Sequence, residues 1–266
     1  MKVGFIGAGN MASAIIAGMC AGGFAGEDVW AYDPCADKLD ALEASCGITV
    51  CPSGNAVASS VDVLVLAVKP QMLASVVPAL RDALLRSEPL VISIAAGKDI
   101  AFLEKLIGFE LPVVRVMPNI AAKVGESMSA YCGNAAVTEE HKASVRRILE
   151  ACGAVTEMAE SQFSAFSVLA GCSPAFTLQY IDALASAGVR YGIPKDKAIE
   201  IVCQAVLGTA RLLQESGMHP RQLADTVCSP AGTTIEGVAA LQRAGFEGAV
   251  QAAAEASVRR DRELMQ

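Results

Sequence analysis

Two rhythms of hydrophobic and polar positions divide the chain. In the first, short runs rich in valine, isoleucine and leucine recur at Val3–Ile6, Val29–Tyr32, Val61–Val68, Leu90–Ile94 and Val113–Met117. They are close to continuously apolar, and Val61–Val68 contains a single charge, Asp62. Such runs predict parallel strands covered on both faces, because a half-exposed sheet alternates apolar and polar positions. Amphipathic stretches lie between them, one ending near Cys20 and another over Ala36–Ser45. Strands alternating with helices predict βαβ units and an α/β fold with a doubly wound sheet. Weaker strands are expected at its edge, near Ser127–Cys132 and Ala154–Glu157.

The second rhythm begins after about Ala159. Phe176, Tyr180, Ile181, Leu184, Gly188 and Tyr191 follow helical spacing, as do Ala198, Ile201, Val202, Ala205, Thr209, Leu212 and Leu213. Gly192-Ile193-Pro194 parts these helices, and Pro220, Pro230 and Gly245 punctuate the rest. The expected organisation is two domains, 1–159 with the sheet and 160–266 all-α, without a fixed-period repeat or a low-complexity linker.

Composition adds one demand. Hydrophobic residues make up 53% of the 266 and charged residues 18%, against usual shares of about 45–50% and about 25%. Disorder is excluded, since it needs low hydrophobicity and high charge. The apolar surplus calls for a large core or a subunit interface. Lysine and arginine number 21 against 28 acids, a net charge of −7. No basic run interrupts that balance, so nucleic acid is not an expected partner. Val3–Gly26 carries no charge, but Gly7, Gly9, Gly22, Gly23 and Gly26 break any uniform apolar helix. The stretch predicts the start of the fold, not a signal peptide or membrane span, and the chain is expected in the cytoplasm. Nine cysteines (20, 35, 46, 51, 132, 152, 172, 203 and 228) form no C-x-x-C pair, with only His141 and His219 to join them. No metal site is expected; scattered thiols of this kind act as small buried hydrophobes in a reducing compartment.

Candidate chemistry starts at Gly7-Ala8-Gly9-Asn10-Met11-Ala12, a match to G-x-G-x-x-G/A. Alone the match is weak, but here it follows a predicted strand and opens a predicted helix, the setting in which it binds a dinucleotide. Gly7 allows the tight turn, Gly9 lets the backbone approach a pyrophosphate, and Ala12 keeps the helix close to the sheet. The helix N-terminus offers unpaired N–H groups to the anion. The first domain is therefore expected to be Rossmann-like. Asp33 ends the next strand, 21 residues beyond Ala12, where an acid accepts ribose hydroxyls and favours NAD over its 2′-phosphorylated form. Asp33-Pro34 also suits a turn or a helix cap. Lys69-Pro70-Gln71 follows the Val61–Val68 strand, and Lys69 either faces a ligand beyond the strand ends or is simply solvated.

In the helical half, Cys228-Ser229-Pro230-Ala231-Gly232-Thr233-Thr234-Ile235-Glu236-Gly237 places a turn before a helix. Ser229, Thr233 and Thr234 supply hydroxyls there, suited to an ordinary helix cap or to a bound carboxylate.

The run Asp225–Gly237 closely resembles the signature of pyrroline-5-carboxylate reductases, and so do Val3–Ala12, Ala67–Gln71, Ser93–Gly97 and Arg115–Asn119. The resemblance runs from end to end of the chain. It implies reduction of the cyclic imine 1-pyrroline-5-carboxylate to L-proline by NADPH or NADH, the last step of proline biosynthesis. It implies that Gly7, Ala8, Gly9, Asn10 and Met11 hold the pyrophosphate. Asn55, Ala67, Val68, Lys69 and Pro70 would line the cofactor, with Lys69 near the nicotinamide end. Ser229, Gly232, Thr233 and Thr234 would bind the substrate carboxylate and ring nitrogen, and Thr234 and Lys69 are the expected catalytic residues. The helical half is implied to be a dimerisation domain, with intertwined homodimers often assembled into a decamer.

The chain departs from the family at Ala170-Gly171-Cys172-Ser173-Pro174-Ala175-Phe176, which stands where Ser-Gly-Ser-Gly/Ser-Pro-Ala-Tyr is common. Capping and packing are the expected roles of the hydroxyls lost at 170, 172 and 176. A protonated cyclic imine is already a good hydride acceptor, so little general acid catalysis is needed, which suits a chain with no Ser/His/Asp arrangement. Two other readings compete. An open-chain 2-hydroxyacid or imine dehydrogenase leaves Ser229–Thr234 without a role, and a nucleotide sensor would turn nothing over.

Overall fold

In the computed structural model of the chain, which describes residues 1–265 and their side chains through Glu263, eight strands form one sheet. They are β1 (Val3–Ile6), β2 (Val29–Tyr32), β3 (Thr49–Val50), β4 (Val63–Leu66), β5 (Leu90–Ser93), β6 (Val113–Met117), β7 (Ser127–Gly133) and β8 (Gly153–Glu157). Their spatial order is β3-β2-β1-β4-β5-β6-β7-β8. The first six are parallel, β7 runs antiparallel to β6, and β8 runs parallel to β7. The order reverses beside β1, between β2 and β4, which is the switch point where open α/β sheets bind ligands.

Seven helices serve this sheet: α1 (Asn10–Ala21), α2 (Ala36–Cys46), α3 (Gly54–Ala58), α4 (Leu73–Ala79), α5 (Arg81–Ser87), α6 (Ile100–Ile107) and α7 (Glu139–Glu150). Successive side chains of a strand leave from opposite faces. Val3, Phe5, Val63, Val65 and Ile92 accordingly pack in one core with Ile15, Ile16 and Met19 of α1. Ile6, Leu64, Leu66 and Val91 pack in a second core with Leu73 and Val77 of α4 and Leu84 of α5. Burial on both faces is why β1, β4 and β5 read as unbroken apolar runs.

Two expectations needed trimming. The Val61–Val68 run is strand only over Val63–Leu66, and the Leu90–Ile94 run ends at Ser93. The two-residue β3 and the short helices α3, α4 and α5 went unread, because so few residues cannot display a period.

Helical structure follows β8 to the end of the described residues, with a short α8 (Phe163–Phe166) and a π-helical segment over Ser167–Cys172. Buried Arg115 of β6 pairs with Glu160 Oε1 at 3.1 Å and stacks over the Phe163 ring. Glu160 also accepts the Ile100 N–H at 2.9 Å. The chain divides into two compact units, one comprising Met1–Gly171 with the residues from Arg260 onward, the other Cys172–Arg259.

Within the second unit, α9 (Ser173–Arg190) and α10 (Lys195–Ser216) pack through Ala185, Ala198 and Val202, its only fully buried side chains. Lys195 joins them by bonding Asp182 at 2.5 Å and Ser186 at 2.8 Å. The shorter α11 (Pro220–Val227) and α12 (Thr233–Arg243) follow, and then the longer α13 (Phe246–Met265). Leu178, Leu184, Tyr191, Ile201, Leu207, Leu212 and Phe246 are all exposed. Much of the apolar surplus is displayed here. No helix among the described residues is long and apolar enough to cross a membrane.

Candidate functional site

β1 delivers the chain to the switch point. Beyond Ile6 the Gly7 N–H donates to the Tyr32 carbonyl at 2.8 Å, so the turn stays tied to β2 as it leaves the sheet. Gly7 has φ +102, and a Cβ there would meet the Ala67 carbonyl oxygen at 2.7 Å. Conformation and space both exclude a side chain. Gly9 differs: its backbone is extended, with φ −75, and a Cβ there would have nothing within 4 Å. It is the N-cap of α1, with no side chain capping the helix. The N–H groups of Asn10, Met11 and Ala12 therefore lack intrahelical acceptors and suit an anion.

Asp33 is more committed than its spacing suggested. One oxygen accepts the Ala8 N–H at 2.8 Å, the other accepts the Cys35 N–H at 2.9 Å, and Lys38 Nζ stands 3.3 Å from each. Burial opposes its ionisation, but the two N–H groups and the Lys38 ammonium prevail and hold the carboxyl below its ordinary value. The bond to Cys35 is the turn expected of Asp33-Pro34, although the N-cap of α2 is Cys35. Gly7 and Ala8 thus enter the turn with their N–H groups already bonded. They contribute its shape, and the open donors lie further on.

Gly7, Gly9, Asp33, Asn55, Ala67, Val68 and Lys69 line one cleft of about 660 Å³. Ala8, Asn10, Met11 and Pro70 do not line it; Ala8 is buried and Pro70 opens a 3-10 turn for which Lys69 is the N-cap. Lys38, Ser53, Gly54 and Ser75 line the cleft without having been singled out as ligands. A signal existed for Ser53, whose hydroxyl caps α3 by accepting the Ala56 N–H at 3.1 Å. Serine before Gly-Asn is a readable cap, but the brief β3 ahead of it marked no strand end.

In the helical unit, Ser229, Gly232, Thr233 and Thr234 gather at the start of α12. Gly232 is the N-cap, no side chain caps the helix, and the Gly232 N–H donates to the Ser229 carbonyl at 3.0 Å. The reading of these hydroxyls as ordinary caps is thereby corrected, for Thr233 and Thr234 already lie inside the helix. Ser229, Thr233 and Thr234 are exposed. Ala231 beside them has φ +56, a conformation that a residue with a Cβ adopts at a cost of order ~1 kcal/mol or more. Exposed hydroxyls beside the unpaired N–H groups of a helix start can bind a carboxylate.

Of the replaced family positions, Ala170 lies in the π-helical segment, where its carbonyl accepts from Asn119 Nδ2 at 2.9 Å. The thiols stay apart from this chemistry: burial pushes Cys132 up to about 12 and Cys152 up to about 11, which keeps both protonated.

Comparison with known proteins places both halves. A family model described as pyrroline-5-carboxylate reductase dimerisation matches residues 160–264, and one described as NADP oxidoreductase, coenzyme F420-dependent, matches residues 2–97. The chain is 39% identical over 251 residues to pyrroline-5-carboxylate reductase of Escherichia coli K12, covering 94% of this chain and 93% of that one. Among solved structures, a pyrroline-5-carboxylate reductase from Coxiella burnetii superimposes with a TM-score of 0.95 at 32% identity, covering 100% of this chain and 98% of the other. The pyrroline carboxylate reductase of Plasmodium falciparum, solved with NADP bound, gives 0.88 at 30% identity with the same coverage of 100% and 98%.

Proposed function

The chain belongs to the pyrroline-5-carboxylate reductase family, and from that premise we infer that it is an NAD(P)H-dependent oxidoreductase. It reduces 1-pyrroline-5-carboxylate to L-proline, the last step of proline biosynthesis. The observation that carries this reading is that the cleft-bearing half and the loop-bearing half fit one family along the whole chain.

The cleft suits a dinucleotide: space is open at Gly9, the first N–H groups of α1 are unpaired, and the Asp33 carboxylate lies at one end. A reduced nicotinamide, when bound, supplies the hydride. The chain's own groups bind and orient. The N–H groups of Gly9 to Ala12 hold the pyrophosphate within the turn shaped by Gly7 and Ala8. Asn55, Ala67, Val68 and Pro70 shape the adjoining wall, and Lys69 lies toward the nicotinamide end. The hydroxyls of Ser229, Thr233 and Thr234 hold the substrate, with Thr234 bonding its carboxylate or ring nitrogen. Because the iminium nitrogen already carries its proton, hydride addition to the carbon yields the neutral amine without an acid from the protein. Thr234 and Lys69 act through orientation and charge.

The expected result of mixing the protein with 1-pyrroline-5-carboxylate and NADH or NADPH is loss of the reduced-nicotinamide absorbance. Tight nucleotide binding with no oxidation would overturn the reading in favour of a nucleotide sensor.

The chain is a homo-oligomer, and its helical half is the dimerisation region. A core of Ala185, Ala198 and Val202 under so many exposed apolar side chains supports an obligate interface, of ~2,000 Å² or more. Five such dimers forming a decamer in the cytoplasm complete the proposal. Light scattering at micromolar concentration should give at least twice the 27.5 kDa chain mass; a monomer mass would sink the dimer.

A further inference from the structure

Hydride transfer requires a reduced nicotinamide, which NADH and NADPH carry alike. They differ at the adenosine ribose, where one has a 2′-hydroxyl and the other a phosphate of about −1.5 to −2 charges near neutral pH. Asp33 directly follows β2 and lines the cleft, with a side chain only 8% exposed. The Ala8 N–H holds it from the glycine turn and the Cys35 N–H from the chain beyond β2. It cannot rotate away from an incoming phosphate without breaking both bonds. Each carboxylate oxygen accepts one backbone N–H and shares the exposed Lys38 ammonium at 3.3 Å, so a ribose hydroxyl would take the place of a Lys38 contact. The same donors keep the group ionised at neutral pH.

The cations lining the cleft are Lys38 and Lys69, and none of the described residues that line it is an arginine. Lys38 is engaged, standing 3.3 Å from both Asp33 oxygens. Lys69 follows β4, on the other side of β1 from β2. A 2′-phosphate at this end would meet a fixed negative charge whose counter-ion is already shared.

We propose that this end of the cleft is built for a free 2′-hydroxyl, so that the chain takes NADH in preference to NADPH, with Asp33 the discriminating residue and Lys38 its counter-ion. The proposal rests on the cleft being the dinucleotide site of a reductase.

Calorimetric binding of NADH and of NADPH to the full chain, without the imine acid, tests it apart from the substrate assignment. NADH should bind at least tenfold more tightly than NADPH. Asp33→Asn keeps an amide oxygen for the Ala8 N–H while removing the charge, and should narrow that gap at least tenfold, mainly by tightening NADPH. Lys38→Ala should leave NADH preferred. Equal or tighter binding of NADPH to the unaltered protein overturns the proposal, and needs no variant to fold. An unchanged ratio in a folded Asp33→Asn, or loss of NADPH binding confined to Lys38→Ala, overturns it too, the latter by assigning Lys38 to a phosphate. Binding of neither nucleotide overturns both this proposal and the reductase reading. The expected ratio without turnover of the imine acid supports the proposal and removes only the substrate assignment.

Discussion

Thr234→Ala should lower kcat/KM for 1-pyrroline-5-carboxylate by at least tenfold while leaving the melting temperature within a degree or two. A hydrogen bond to a charged group contributes ~1.5–3 kcal/mol, or about 10–150-fold in binding or rate. The substrate offers two such groups, its carboxylate and its iminium nitrogen. Loss of a helix cap costs about 1 kcal/mol, but α12 is capped at Gly232 and the exposed Thr234 lies in its first turn. Stability therefore has little to lose. Nucleotide affinity, which the proposal assigns to the turn at Gly7–Met11, should also stay unchanged. Steady-state kinetics, nucleotide titration and thermal melting together decide the matter. Catalysis within twofold of the parent, whatever the melting temperature does, would remove Thr234 from the substrate site.

Two alanine substitutions in the glycine turn should fail in different ways. Gly7→Ala imposes a Cβ on a residue at φ +102 and drives it to 2.7 Å from the Ala67 carbonyl oxygen. Left-handed backbone alone costs ~1–2 kcal/mol, and the collision forces β1 and β4 to shift where they exit the sheet. A loss of ~3 kcal/mol or more is expected, which lowers the melting temperature by ~6–12 °C in a chain of this size. Gly9→Ala meets no neighbour within 4 Å and needs no unusual dihedral. Its methyl instead fills the approach to the unpaired N–H groups of α1, so melting should hold while the nucleotide Kd rises at least tenfold. Unimpaired nucleotide binding by Gly9→Ala would move the pyrophosphate elsewhere.

The doubly wound sheet, the glycine turn and the change of character near Ala159 were legible because each is written locally. A strand buried on both faces must be apolar at nearly every position, so Val3–Ile6 and Val63–Leu66 announce themselves without their neighbours. The turn is equally local, since Gly7 answers to its own dihedral and Gly9 to what must come close to it. Helical spacing likewise shows which residues of the second half share a face.

Partnership is what local pattern cannot hold. β3 is a strand only because Trp30 and Ala31 of β2 pair with Thr49 and Val50, and two residues carry no period of their own. Asp33 stands at a suggestive spacing, yet only the closed sheet brings the Ala8 N–H, 25 residues away in sequence, to its oxygen. That bond turns a possible ribose acceptor into a fixed charge. The hydroxyls of Ser229, Thr233 and Thr234 read first as helix caps and only second as ligands; the N-cap at Gly232, with no side chain capping the helix, shows that they are not caps. Composition disclosed an excess of apolar residues, but not where it lies. Its display on a helical unit whose buried core is Ala185, Ala198 and Val202 was decided by tertiary structure, because periodicity determines the face a side chain shares and only packing determines whether anything covers it.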